Sequence, residues 1–461
     1  MGFTFLPNFT TRTCLTALCV MVVFTSMIGV GSSANAGGIS LIRDAEIEHN
    51  IRQIAAPLFA AAELDAEAVK VHLVDNSALN AFVAGGQRIF INTGLLLKVD
   101  QVSEISGVIA HETGHISGGH LARTHDAVRD ASAASILSMV LGAAAALGGQ
   151  GQAGAAIIAG GAQVAQQSIL KYSRTQESVA DQAAVKILAA LDITPQGLFT
   201  FLDRIGHQEA LATSRQDPYV RSHPLTRDRL RFLQDQIARS PVLEESPAPI
   251  SHEDLIRMQA KIWGFLGSPQ KALRRYPESD QSIPAKYARA AVYHRLGRLD
   301  QALTEAANLI ALEPSNPFFN ELQGQILFES GNVIEAIPPY QTAVDLLPDS
   351  ALLRIGLAQA QIATNDNSLL SAAVINLKEA TRRDKGIPSA WRQLAVALGR
   401  KGDIGESALA SAEYNLMIGR SRDAIRFASK AENLLAAGTP GHLRALDLKG
   451  VAEKAAKRRR K

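Results

Sequence analysis

The chain has 461 residues, room for two or three domains at about 150 residues each. Hydrophobic residues at 47% against 20% charged exclude a disordered chain. A net charge of +3, from 47 basic and 44 acidic side chains, carries no general polyanion signal, so no nucleic-acid partner is expected. With 5% aromatic residues and abundant Ala and Gly, the composition favours close-packed helices over a β-sandwich.

Arg12 is the sole charge ahead of an apolar run from Cys14 to Val30, and Ala34-Asn35-Ala36 follows as a small-x-small cleavage signal. Residues 1–36 therefore read as a secretory signal peptide. An uncleaved membrane anchor is the alternative, because a run of about 17 apolar residues is borderline for spanning a bilayer. Cys14 and Cys19 both lie in this segment, so the processed chain has no cysteine. It must rely on core packing in place of disulfides, and a thiolate nucleophile or metal ligand is excluded.

From Ser40 to Ala62 apolar residues recur at helical spacing. Val69 to Val74 alternates like a strand, and Gly85-Gly86 turns into a second strand ending at Ile91, which predicts a hairpin between the two. Ser103 is the expected cap of a helix running to about Arg123. Residues 131–170 contain no charge at all. Their richness in Ala, Gly, Ser and Gln argues for a packed helical pair or lid, with a membrane-inserted hairpin as the alternative. Helical patterns resume over 176–191 and 195–205, and the Pro-, Ser- and Glu-rich stretch from Ser240 to Pro249 reads as a boundary.

Beyond that boundary the chain repeats. Gly297, Ala302 and Pro314 recur 34 residues later as Gly331, Ala336 and Pro348, and the same Gly–Ala offset appears at Gly267/Ala272 and Gly419/Ala424. This stretch resembles the tetratricopeptide family, with its 34-residue helix-turn-helix unit. About four to six units are expected, those around Asn365 and Gly402 being degenerate. The fold class is therefore mainly α with a small β-hairpin or sheet. The expected division is 1–36 signal peptide, 37–240 a first folded domain, 241–456 repeat domain and 457–461 basic tail. The tail reads as a solvated end or a peripheral contact with an anionic membrane.

His111-Glu112-Thr113-Gly114-His115 is the sharpest chemical signal. Residues four apart share a helix face, so both imidazoles can bind one metal ion, and Glu112 can reach a metal-associated water as a base. Gly114 inside such a helix is best explained by close packing. Tetrahedral zinc needs a further ligand, and Glu177 and Asp181 are again four apart. The first could ligate and the second could orient an imidazole, although spacing alone also fits an exposed acidic pair. His120 falls outside this scheme and is expected to be structural. His223, before Pro224, reads by itself as a loop residue.

The order His111-Glu112-x-x-His115, Glu177-x-x-x-Asp181, then Ser222-His223-Pro224 with Arg229 resembles the gluzincin family of HtpX, the CAAX prenyl proteases and Oma-type proteases. Within it, the architecture is similar to exported members that carry tetratricopeptide repeats and act in outer-membrane assembly. The resemblance implies one Zn2+ per chain held by His111, His115 and Glu177, with Glu112 as general base and Asp181 behind the ligands. It implies that His223 either shields the zinc at rest or stabilises the oxyanion, and it leaves Arg229 between ion pairing and transition-state support. Asn80, Ala81, Phe82, Val83 and Ala84 correspond to a segment beside the cleft, where an extended substrate adds as a strand. The implied function is a periplasmic zinc endopeptidase with chaperone-like activity on misassembled outer-membrane β-barrel proteins. Its repeats would engage unfolded clients or the assembly machinery. The alternatives are a repeat scaffold with a latent zinc site and a membrane-anchored metalloprotease.

Overall fold

A computed structural model describes residues 40–147, 151–206, 219, 222–240 and 248–458. The expected signal peptide, and residues 459–461 of the basic tail, lie outside the described residues.

A helix, α1 (Ala45–Ala61), opens on the side chain of Asp44, which accepts from the Ile47 amide at 2.9 Å. Its Ile47, Ile51, Ile54, Leu58 and Phe59 enter the first core. Four short strands follow the order β1-β2-β4-β3: β1 (Leu41–Ile42), β2 (Lys70–Val74), β3 (Ala81–Val83) and β4 (Arg88–Asn92). The expected hairpin is corrected here. β2 runs parallel to β4, and the antiparallel partner of β4 is β3, with Phe82 opposite Phe90. The tight turn at Gly85 and Gly86, both with positive φ, joins β4 to the strand immediately before it. Segment 75–87 is then the long connection that a parallel pair requires. β3 is left as an outer strand.

Helix α2 (Val102–Ser117) starts from a capping box between Gln101 and Glu104, two residues before the Ser103 cap that the sequence suggested. It also ends earlier than expected. Gly118 closes it, Gly119 turns the chain at φ +63°, and α3 (His120–Leu147) begins as a separate helix. α3 packs along α4 (Gly151–Ala189), so the charge-free stretch is carried by a helical pair. Ile136, Leu137, Met139, Val140 and Leu141 of that pair are exposed. Among the described residues, no helix is long and apolar enough to cross a membrane. Helix α5 (Gln196–Gly206) packs on α2, and α6 (Arg227–Ala238) packs on α5 and α4.

A solenoid of helices follows: α7 (His252–Leu266), α8 (Pro269–Arg275), α9 (Ile283–Arg295), α10 (Leu299–Leu312), α11 (Pro317–Glu329) and α12 (Val333–Leu346). It continues through α13 (Ala351–Ala363), α14 (Leu370–Arg383), α15 (Pro388–Lys401), α16 (Ile404–Met417), α17 (Ser421–Leu434) and α18 (Pro440–Arg458). Gly297, Gly331, Gly402 and Gly419 all take positive φ in the inter-helix turns, and Asn365 does so in the turn between α13 and α14. Ala302, Ala336 and Ala424 are fully buried, as close helix approach demands. Gly402 and Gly419 bracket a single helix, α16, so the repeat phase shifts there. The first core is not confined to the helices around the sheet. Ile250, Leu255, Met258 and Ile262 of the solenoid's first segment belong to it.

Candidate metal centre

The centre is built on two helices that cross at small residues. Gly114 lies against α4 so closely that an added Cβ would stand 2.8 Å from the Ala180 carbonyl oxygen. That approach brings the last turns of α2 beside Glu177 and Asp181. His111, Glu112, Glu177 and Asp181 are all buried, and His115 is nearly so.

The donor atoms converge. His115 Nε2 stands 3.1 Å from His111 Nε2, and the Glu177 carboxylate lies 3.3 Å from the latter and 3.4 Å from the former. His223 Nδ1 joins them at 3.2 Å from both Glu177 oxygens and 3.4 Å from His111 Nε2. All four donors lie within 4.8 Å of one another. Tetrahedral zinc with metal–donor distances of about 2.05 Å has donor–donor edges of about 3.3 Å. The set of two imidazoles, a carboxylate and a third imidazole matches that size and chemistry. Glu112 adds a second sign of fit, for among the described residues neither of its buried carboxylate oxygens has a hydrogen-bond partner. Its Oε1 lies 3.4 Å from His223 Nε2.

Behind the donors, His111 Nδ1 is 3.0 Å from Asp181 Oδ1. Arg229 grips Asp181 with two hydrogen bonds, Nε to Oδ2 at 2.7 Å and Nη2 to Oδ1 at 2.9 Å. Its Nη1 is 2.9 Å from Glu177 and donates to the Pro224 carbonyl at 3.1 Å. The guanidinium is thus taken up by two carboxylates and a carbonyl, which favours ion pairing among the two roles left open for it. Thr226 caps α6 through the Arg229 amide, fixing where this arginine starts.

Charge follows from these contacts. Burial disfavours the His111 imidazolium, but Asp181 and Glu177 outweigh it and push the ring up to about 9. Burial pushes His115 down to about 3, against the pull of Glu177. Burial also raises the Glu112 carboxyl, with His223 and His111 opposing. Glu177 is held well below the usual carboxylate range, because His223, His111 and His115 overcome its desolvation.

Two contacts had no sequence signal. The Tyr219 ring stacks on His223, with centroids 4.6 Å apart, and its carbonyl accepts from the His223 amide at 2.7 Å. His120, across the Gly118-Gly119 break, brings Nδ1 to 2.9 Å from His115 Nδ1. The β3 segment lies beside α2. Ser222 donates to Asn80 at 3.4 Å, and the Tyr219 amide donates to the Leu79 carbonyl at 3.3 Å, tying the His223 segment to the start of that strand. Ala81 is buried, whereas Phe82, Val83 and Ala84 are half-buried along the outer strand.

Residues 42–237 match Peptidase family M48. A Beta-barrel assembly-enhancing protease from Yersinia pestis is 26% identical over 401 residues, covering 85% of this chain and 80% of that protein. Metalloprotease YcaL from Escherichia coli is 32% identical over 167 residues, covering 35% of this chain and 59% of YcaL. A solved structure of YrrB, titled a TPR protein with an unusual peptide-binding site, is 18% identical and covers 42% of this chain and 91% of YrrB, with a TM-score of 0.29. The chain carries an M48 peptidase domain and is a metalloprotease.

Proposed function

We propose that the chain is an exported zinc endopeptidase with chaperone-like activity, acting in the periplasm on misassembled outer-membrane β-barrel proteins. The observation that carries the reading is the meeting of His111, His115 and Glu177 donors around one metal-sized point beside the buried Glu112, whose oxygens accept no hydrogen bond among the described residues. The client class is suggested by the names of the similar proteases, and export by the leader expected over 1–36. We divide the chain into a metalloprotease domain at 37–240 and a repeat domain at 241–456, the latter engaging unfolded clients or assembly machinery.

In this reading His111, His115 and Glu177 hold one zinc ion per chain. When bound, zinc supplies Lewis acidity that makes water acidic near neutral pH and polarises a peptide carbonyl. Glu112 takes a proton from the attacking water and delivers it to the leaving amine; burial, which raises its carboxyl, suits it to both directions. His223 Nε2, near Glu112, is the donor best sited to stabilise the oxyanion. Asp181 orients His111, and Arg229 positions Asp181 and Glu177. The outer strand from Asn80 to Ala84 receives an extended substrate by strand addition.

A second reading, a repeat scaffold with a latent zinc site, is favoured by one observation: His223 Nδ1 sits among the ligand donors and would close the fourth position. One set of measurements separates the two. Zinc content and cleavage of an unfolded protein are followed for the wild type, Glu112→Gln and His223→Ala. The protease reading expects Glu112→Gln to lose at least about 100-fold in cleavage at unchanged zinc. A resting shield at His223 expects His223→Ala to cleave faster than wild type, whereas a transition-state role expects it to be inert. Cleavage retained in Glu112→Gln rejects the assigned base.

A further inference from the structure

The two imidazoles on α2 are supported differently at the ring nitrogen facing away from the donor cluster. His111 Nδ1 faces the Asp181 carboxylate. His115 Nδ1 meets another imidazole, that of His120, at 2.9 Å, with the rings edge to face at 79° and centroids 4.9 Å apart. His120 is only 3% exposed. It reaches this position because α2 stops at Gly118 and the left-handed Gly119 folds the chain back, so that the first residue of α3 covers the last turn of α2. Gly118 leaves the room, since a Cβ there would stand 2.4 Å from His120 Nε2. The main chain is pinned as well: Gln176, immediately before Glu177, donates its side-chain amide to the His120 carbonyl at 3.1 Å.

We propose that His120 is a positioning residue that fixes the tautomer and orientation of His115 for metal binding. The inference rests on the reading of His115 Nε2 as a metal ligand. An N···N contact of this length between two imidazoles contains one proton. Metal binding at Nε2 requires the lone pair there, which leaves the His115 proton on Nδ1 as the donor. His120 then accepts at Nδ1 and carries its own proton on Nε2. A ligand imidazole held in this way cannot flip, and its basicity rises. His120 thus does for His115 what Asp181 does for His111. It does so without adding charge to a pocket that already buries the carboxylates of Glu112, Glu177 and Asp181.

The test is the zinc dissociation constant of the purified full chain, measured against a chromophoric chelator. The variants are His120→Leu, His120→Asn and Glu177→Ala, with thermal melts alongside. Asparagine offers an acceptor oxygen close to where Nδ1 stands, and leucine offers none. His120→Leu should weaken zinc binding about 10- to 100-fold, while His120→Asn stays near wild type. In 15N spectra of the zinc-loaded protein, the His115 Nδ1–H signal should move in the leucine variant and persist in the asparagine one. Wild-type zinc affinity in His120→Leu, or equal loss in both variants, overturns the proposal. Should His120→Leu not fold, Gly118→Ala, whose methyl displaces the His120 ring, takes its place. Unchanged zinc in Glu177→Ala would reject the metal centre itself, whereas loss there beside an unaffected His120→Leu rejects only the role of His120.

Discussion

Each ring nitrogen of the paired histidines has a distinct environment, and this sets how protons compete with the metal. In the metal-free chain at neutral pH, His111 is an imidazolium held up at about 9, chiefly by Asp181 and Glu177 against burial. His115, pushed down to about 3 by burial, is neutral. Zinc needs a free lone pair on both, so loading must expel the His111 proton. Calorimetric titration in buffers of different protonation enthalpy should therefore show release of about one proton per zinc at pH 7. The apparent affinity should rise about tenfold per pH unit toward pH 9 and level off above it, since above that pH His111 has already lost its proton. Affinity flat between pH 7 and 8, with no proton released, would show that His111 is neutral before the metal arrives.

At the level of helices, the centre exists because α2 and α4 touch backbone to backbone. Replacing Gly114 by alanine gains about 1 kcal/mol of helix propensity. Against this, the new methyl meets the Ala180 carbonyl oxygen at 2.8 Å, and a carbonyl held within a helix cannot rotate aside. Overpacking of this kind costs about 1–3 kcal/mol. Gly114→Ala is expected to lower stability in urea and, by parting His115 from Glu177, to weaken zinc binding more than an equally destabilising substitution in the repeats. Stability and zinc affinity both unchanged would show that the helices can part without consequence. The sequence made this crossing legible in part: spacing put His111 and His115 on one face, and Gly114 pointed to close packing. Other elements were not legible. β3 spans three residues, too few to show alternation, so the strand order that makes β2 and β4 parallel stayed hidden. The His120 contact depends on a glycine break that helical spacing extends straight through. Tyr219 reaches His223 by ring stacking, which no motif encodes.

Over the whole molecule, the catalytic core and the solenoid are joined by buried charge. Glu46 at the start of α1 accepts from Arg257 at 2.6 Å and from the Tyr287 hydroxyl at 2.7 Å, while Lys261 lies 2.8 Å from Asp44 and 3.4 Å from Glu46. Glu321 of α11 faces the same lysine from 3.9 Å. Asp44, Lys261 and Glu321, with apolar neighbours such as Ile47 and Phe265, border a cavity of about 510 Å³ between α1 and the repeats. Lys261 already serves two carboxylates, so Glu321 has the weakest compensation. Burial pushes its carboxyl up to about 8; Lys261 opposes this, and Asp44 and Glu46 add to it. A carboxyl whose pKa is higher folded than unfolded binds more protons in the folded state, so its contribution weakens as pH rises from about 4.5 to about 8. Glu321→Gln removes that ionisation and keeps the shape. The variant should match wild type near pH 4.5 and become progressively more stable than it up to about pH 8, read as the difference in urea midpoint. A constant difference across that range would mean that Glu321 stays ionised throughout, with Lys261 as its effective partner, and that the junction does not sense pH.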